Sequence, residues 1–117
     1  MITLTNAQMI DSLRVLAQVE ETGMLGFAIA QNRRKLSAEV EEYSAKYNEL
    51  LAKYGTDKGA GQYTLRQEDL PAFEAELRPF AEMTAEVALT QVSLEDFTGG
   101  KLTSSQMFVL EWMVKED

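Results

Sequence analysis

Residues 24–54, MLGFAIAQNRRKLSAEVEEYSAKYNELLAKY, form the longest stretch of helical sequence in this chain. Its apolar residues recur at helical spacing, and from Leu36 to Tyr54 the steps alternate between four and three, which is a heptad stripe. The seam comprises Leu25, Ile29, Leu36, Val40, Tyr43, Tyr47, Leu50 and Tyr54. One continuous helix over these residues would be roughly 45 Å long, so the pattern predicts a long central helix.

A helix of that length needs more cover than a chain of 117 residues readily supplies. Either the first and last helices pack along it, or a second copy of the chain does. We therefore predict a homo-oligomer that uses this helix or the C-terminal helix. The predicted interface residues are Leu36, Val40, Tyr43, Tyr47, Leu50, Tyr54 and Trp112.

The first helix has a complete start signal. Thr5 occupies the N-cap position and Gln8 follows three residues later, which is a capping box. We place the end of this helix near Thr22, with Gly23 as the left-handed residue after it. Residues 2–4, before the cap, are predicted to be a short extended arm.

Two more helices are predicted in the second half of the chain. One begins at Asp69, with Pro71 in its first turn, and is kinked or ended by Pro79. The last begins after Thr103, which is followed by Gln106 in a second capping box. Its apolar side chains, Met107, Phe108, Trp112 and Met113, predict either core packing or a face that binds a partner.

The β structure predicted from the sequence is small. Glycines mark residues 55–61 as a loop that includes Gly59-Ala60-Gly61, and β-prone residues follow at 62–65. A second strand is predicted within 87–92, from alternating apolar side chains. These two strands are predicted to pair with each other. The fold class is therefore mainly α (α+β): a long central helix packed with two or three shorter helices plus a small two-stranded antiparallel ribbon, in a single domain over residues 1–117.

Composition excludes several classes of function. The chain has 19 acidic and 11 basic residues, a formal net charge of −8, and neither cysteine nor histidine. Cysteine and histidine zinc sites, a cysteine nucleophile and a histidine base are therefore absent. The negative charge opposes nucleic-acid binding. With no long apolar run and no basic leader, we expect no membrane partner and a cytoplasmic location.

The most conspicuous polar feature lies inside the long helix. It consists of Asn32, Arg33, Arg34 and Lys35. One interpretation is a solvated segment paired with acids such as Glu20 or Glu39. The other is an anion-binding site, because arginine offers a planar fork to phosphate or carboxylate. Asn32 has a further interpretation as a buried polar residue that sets helix register.

No residue set in the sequence predicts catalysis, a metal site or a cofactor. Glu39, Glu41 and Glu42 are close in sequence, but Glu41 points away from the other two on a helix, so a solvated face is the better interpretation. The tyrosine stripe is interpreted as packing, with an aromatic ligand cradle as the alternative. Glycines 59 and 61 lack the rest of a nucleotide-binding motif.

The order of short motifs along the chain resembles a known family. The motifs are FAIAQNRRKL at 27–36, Glu39, EY at 42–43, Leu50, KYG at 53–55, QYTL at 62–65, FEAEL at 73–77, EV at 86–87, LEDF at 94–97, LT at 102–103 and LEWM at 110–113. The pattern is similar to that of small uncharacterised proteins of tailed bacteriophages and prophages. The resemblance implies a phage or prophage origin and brings no catalytic residues.

The expected function is therefore that of a non-enzymatic phage accessory protein that acts by binding. In host takeover or counter-defence it would inhibit a host protein, or sequester a small anionic signal at Arg33 and Arg34. The alternative is a structural or chaperone role in phage assembly, with a phage protein as partner. A carboxylate-based metal enzyme is a third class that the sequence does not favour.

Overall fold

The computed structural model describes residues 1–59 and 62–115. The elements in these residues are β1 (Ile2–Thr5), α1 (Asn6–Gln18), α2 (Gly23–Glu39), α3 (Glu41–Tyr54), β2 (Thr56–Gly59), β3 (Gln62–Thr64), α4 (Leu70–Ala81), β4 (Thr84–Val87), α5 (Leu94–Thr98) and α6 (Ser104–Val109), followed by a 3₁₀ helix at Glu111–Met113. Helices dominate and the strands form small antiparallel pairs. The mainly α (α+β) fold class is therefore confirmed.

Both predicted capping boxes are present. The Thr5 hydroxyl accepts from the Gln8 backbone N–H at 3.0 Å, and the Gln8 side chain accepts from the Thr5 N–H at 2.8 Å. Thr103 and Gln106 make the same reciprocal pair at 3.2 and 3.0 Å. Each box satisfies two backbone N–H groups that would otherwise lack a partner at the start of a helix.

The predicted end of the first helix is wrong. α1 ends at Gln18, because Val19 takes an extended conformation (φ −93°, ψ 130°) and packs against the core. Gly23 does have a positive φ of 69°, but as the first residue of α2 rather than as the last cap of α1. Gly23 therefore has the left-handed conformation that was predicted for it, but it begins α2 and does not end α1.

The single long helix predicted over residues 24–54 is also wrong. It is divided into α2 and α3 at Val40 (φ −93°, ψ 6°). Val40 still donates to the Leu36 carbonyl and accepts from the Ser44 N–H. A straight helix drifts by about 20° per heptad from a stripe of this kind. Val40 itself is buried in the core, and beyond it α3 packs against α4 through Tyr47 and Phe73.

The predicted pairing of the strands is wrong as well. β1 pairs antiparallel with β4, from Ile2 opposite Val87 to Thr5 opposite Thr84. β2 pairs with β3, next to it in sequence, because closing a short loop costs less entropy than closing a long one. Residues 56–59 are thus a strand rather than loop, and Ala60 and Gly61 lie outside the described residues.

Residues 88–92, predicted to be strand, instead follow β4 as an extended segment without a sheet partner over most of its length. Val92 alone makes a parallel bridge to Val114. α5 was not predicted, although Ser93 caps it by accepting from the Asp96 N–H at 3.2 Å. Phe97 is its buried anchor. A serine followed three residues later by an acid was the signal for this short helix.

Pro79 lies within α4, and the helix ends two residues beyond it, at Ala81. At its other end the Asp69 side chain makes no capping bond, while Pro71 occupies the first turn, where a missing N–H costs nothing. The core gathers side chains from most elements around α2. Its fully buried members include Met9, Leu16, Leu36, Leu110 and Met113.

Candidate protein-interaction site

Both polar atoms of the Asn32 side-chain amide form hydrogen bonds within the fold. The residue is fully buried, its Nδ2 donates to the Thr90 carbonyl at 2.9 Å, and its Oδ1 accepts from the Thr90 N–H at 2.8 Å. The Gln31 side chain accepts from the Thr90 hydroxyl at 2.7 Å. α2 therefore holds the extended segment after β4 as a neighbouring strand would. Asn32 sets the position of that segment and leaves no amide atom for a ligand.

Lys35 also contacts this segment. Its Nζ donates to the Ala88 carbonyl at 2.7 Å while the side chain stays exposed. Of the four polar residues predicted as a site, Asn32 and Lys35 thus face the segment after β4. Arg33 and Arg34 point elsewhere, because successive helical side chains are about 100° apart.

Arg33 and Arg34 are exposed. The ion pairs formed within the described residues are Arg14–Asp11, Lys46–Glu49, Lys53–Glu76 and Arg66–Glu68. Neither Arg33 nor Arg34 takes part in them, so the expected pairing with Glu20 or Glu39 does not form. Both guanidinium groups remain open to an external partner.

The two arginines share the outer half of α2 with apolar side chains. We define the α2 surface by six of the exposed residues of α2: Met24, Phe27, Ala30, Arg33, Arg34 and Ala38. Phe27 is 59% exposed and Met24 is 64% exposed. The buried residues of α2, among them Leu25 and Leu36, lie on the opposite half. No acidic residue occurs from 22 to 38, the longest acid-free stretch in a chain of net charge −8.

A second surface lies between α1, α6 and the 3₁₀ helix. It is a groove of about 640 Å³, which we call the α1–α6 groove, and its lining residues are Leu4, Gln8, Asp11, Ser12, Phe108, Val109, Glu111 and Trp112. Phe108 is 75% exposed. Two of the lining side chains are acidic and none is basic, although Arg14 lies 3.7 Å from Asp11 outside the lining set.

The floor of this groove is fixed by a hydrogen bond. Trp112 donates its indole N–H to the buried Ser12 hydroxyl at 3.0 Å, which joins the 3₁₀ helix to α1. The sequence had suggested either core packing or partner binding for the last helix, and the structure divides its side chains. Met113 is buried in the core, whereas Phe108 is exposed.

The predicted interface seam is largely covered by its own chain. Leu36, Val40 and Leu50 are buried. Tyr47 and Tyr54 meet the Phe73 ring edge-on, with centroids 5.5 and 6.5 Å apart. α4 thus covers part of the tyrosine stripe, although Tyr47 stays 38% exposed, and the length of the seam no longer requires a second copy. The homo-oligomer stays a prediction, for which the α1–α6 groove, containing Trp112, offers a more open surface.

One polar cluster joins α3 to α4. Glu76 Oε1 accepts from Lys53 Nζ at 2.8 Å and from the Tyr54 hydroxyl at 2.6 Å. These two donors hold the pKa of the Glu76 carboxyl below its usual range. In turn, hydrogen bonding to Glu76 raises the pKa values of Lys53 and Tyr54. A further ion pair, within α3, joins Lys46 to Glu49 at 3.3 Å.

Burial raises the pKa of Tyr43, and the neighbouring Tyr47 and Asp11 raise it further.

Glu39, Glu41 and Glu42 do not converge: across residues 1–59 and 62–115 no group of three or more acidic side chains is placed to hold a metal ion. In the same residues no helix is both long enough and apolar enough to cross a membrane.

Phe108 and Trp112 were predicted to lie in the core or on a partner-binding face, but the groove that they line together with α1 was not predicted. Met107, Phe108 and Val109 are consecutive apolar residues, and one helix cannot turn three successive side chains toward the same core. That conflict was the available signal that one of them is exposed.

No family model matches this chain, and neither a curated protein nor a solved structure matches it.

Proposed function

We propose that this chain is a non-enzymatic phage or prophage accessory protein that acts in host takeover or counter-defence by binding an acidic segment of a host protein at the α2 surface. One observation carries the proposal. Arg33 and Arg34 are exposed and take part in none of the ion pairs of the described residues. They share the exposed half of α2 with Phe27, on a chain that is otherwise strongly acidic.

The chemistry of the α2 surface suits a protein partner. Arginine and aromatic side chains are enriched in the centres of interfaces, where an apolar anchor excludes water from charged hydrogen bonds. A guanidinium group binds a carboxylate through two parallel N–H donors. Met24 and Phe27 supply the anchors, and Arg33 and Arg34 supply the donors. A complementary partner therefore presents carboxylates next to apolar side chains.

The net charge of the chain further restricts the class of partner that can bind. A net charge of −8 repels nucleic acid and anionic lipid headgroups at long range. An acidic segment of a folded protein is less strongly repelled than nucleic acid or a lipid surface, because its negative charge is confined to a short stretch. That stretch can pair directly with the two arginines. A small anionic signal would use the same two guanidinium groups without Phe27, so the effect of Phe27→Ala separates the two ligand classes.

The test compares capture of host proteins by three affinity-tagged chains with quantitative mass spectrometry. The test variant is Arg33→Glu/Arg34→Glu. The control, Arg66→Glu/Arg78→Glu, makes the same change of charge at exposed residues outside α2. We expect the wild type and the control to retain a host protein that the test variant loses by about tenfold or more, since like charges then face each other.

Equal capture by all three chains, or the absence of any specifically retained protein, overturns the proposal. Retention of a virion protein in place of a host protein would favour the assembly role instead. With the partner purified, Phe27→Ala should weaken the complex, and raising the salt concentration should weaken it further because the arginine contacts are screened.

A further inference from the structure

We infer that the α1–α6 groove receives the α2 surface of a second copy of this chain. The inference rests on the proposed function, because it concerns how access to the α2 surface is regulated. A copy whose α2 surface lies in a neighbour's groove cannot present that surface to a host protein. Self-association would thus hold the protein in a masked form that partner binding must displace.

Charge is the first observation that carries this inference. The groove contributes Asp11 from α1 and Glu111 from the 3₁₀ helix, and no lining side chain is basic. The α2 surface contributes Arg33 and Arg34, and no acidic residue occurs on its helix before Glu39. In this contact the carboxylates of Glu111 and Asp11, the latter 3.7 Å from Arg14 of its own chain, face two guanidinium groups on the other copy, and opposite charges of this kind favour pairing.

Apolar side chains are the second observation. Phe108 at the groove is 75% exposed, and Phe27 on the α2 surface is 59% exposed. Water contact with rings of this size is unfavourable, and burying both in one interface removes that cost. The Trp112–Ser12 hydrogen bond keeps the groove floor in place. The groove is thus formed before any partner arrives, so little ordering is needed on binding.

A second copy fits the groove better than an arbitrary partner does. The occupant must be basic and apolar together, and most of this chain is acidic. Residues 22–38 combine three bases, no acid and several exposed apolar side chains. Every copy of the chain carries this segment, so its concentration always equals that of the groove. A foreign basic segment bound at the groove is the competing outcome of the test.

The contact joins two different surfaces, so it is heterologous. If each copy gives its α2 surface to one neighbour and its groove to another, the result is a ring or an open chain. If two copies exchange both contacts, the result is a closed dimer. In each of these assemblies, association of the copies requires both the α2 surface and the α1–α6 groove.

The test is sedimentation equilibrium on the full chain and on two surface variants. Arg33→Glu/Arg34→Glu damages the α2 surface, and Asp11→Asn/Glu111→Gln damages the groove. We expect concentration-dependent association of the wild type and a dissociation constant about tenfold higher for each variant. Glu74→Gln/Glu82→Gln is the control for loss of two acids, and it should associate as the wild type does. Circular dichroism verifies that each variant is folded.

Mixing the two surface variants provides the decisive observation. The intact groove of the first meets the intact α2 surface of the second, so the mixture should form a one-to-one complex more tightly than either variant associates alone. A monomeric wild type, variants that associate like the wild type, or a mixture that stays monomeric overturns the inference. Binding of a basic host segment at the groove of a monomeric wild type also overturns it.

Failure of this inference and failure of the proposed function can be told apart. The groove variant keeps its α2 surface, so it should capture the host protein at least as well as the wild type does. If the wild type is monomeric but capture still requires Arg33 and Arg34, self-masking is wrong and the proposed function stands. If the copies associate as expected but no variant changes host capture, the proposed function is wrong.

Discussion

Asn32 binds both backbone groups of Thr90 with a single side chain. Asn32→Ala leaves the N–H and the carbonyl of Thr90 without these partners in a partly buried position, so we expect a loss of about 2–4 kcal/mol in the free energy of unfolding. Urea denaturation measures it. Asn48→Ala, at an exposed position of α3, is the matched control and should change stability by less than about 0.5 kcal/mol. Equal losses would show that the Thr90 contact is not what stabilises the fold.

Gly26 is required by close packing rather than by its own backbone angles. Alanine in a helix is ordinarily about 1 kcal/mol more favourable than glycine. A Cβ at Gly26, however, would clash with the Glu21 backbone carbonyl, which cannot move as a side chain can. We therefore expect Gly26→Ala to lower the thermal midpoint, whereas Ser37→Ala, exposed on the same helix, leaves it the same or raises it. A rise in both variants would contradict the close approach.

At the scale of single elements, the caps of α1 and α6 are local and should be independent of each other. Thr5→Ala and Thr103→Ala each remove a hydroxyl that accepts a backbone N–H. We expect each to cost about 1 kcal/mol in urea denaturation. Thr22→Ala is the matched control, because Thr22 occupies the N-cap of α2 without making a side-chain capping bond. The placement of the caps fails if Thr22→Ala costs as much as the other two.

The contact between α3 and α4 should depend on pH. The pKa of Glu76 is lowered by Lys53 and Tyr54, so its contribution is present above the ordinary glutamate pKa of about 4.3. That contribution is lost as the pH falls through the lowered value. The pKa values of Lys53 and Tyr54 are raised, so their contributions are present below about pH 10 and are lost as the pH rises through the raised values.

We therefore expect the stability difference between the wild type and Glu76→Gln to be greatest between about pH 5 and pH 9 and to shrink on both sides. Chemical denaturation across this range measures the difference. Glu74→Gln, an exposed neighbour on α4, is the control and should give a flat profile. A difference for Glu76→Gln that stays constant from pH 7 down to pH 3 would mean that the cluster does not couple the two helices.

At the scale of the whole molecule, like charge opposes the folded state. A net charge of −8 makes the compact chain repel itself, and salt screens that repulsion. At low protein concentration we expect the thermal midpoint to rise as NaCl is raised from about 20 to about 200 mM. The more negative Arg33→Glu/Arg34→Glu variant should gain more, and the less negative Glu74→Gln/Glu82→Gln variant should gain less. The same gain in all three would exclude net charge as the cause.

Features whose partners are close along the chain could be predicted from the sequence alone. The capping boxes at Thr5 and Thr103 were predicted correctly because cap and partner lie three residues apart. The mainly α class followed from apolar periodicity, which is also local. The two arginines at 33 and 34 could be singled out by composition, but their exposure and their lack of an internal ion pair could not.

The pairing of segments that are distant along the chain could not be predicted and depends on how the whole fold packs. β1 pairs with β4 across most of the chain, and Asn32 meets Thr90 58 residues away. Both contacts use backbone N–H and carbonyl groups, which nearly every residue carries alike, so the side chains do not mark the partner. The break at Val40 and the exposure of Phe108 likewise depend on which neighbours fill the surrounding space. Packing of the complete chain fixes these features, and with them the two surfaces proposed to bind.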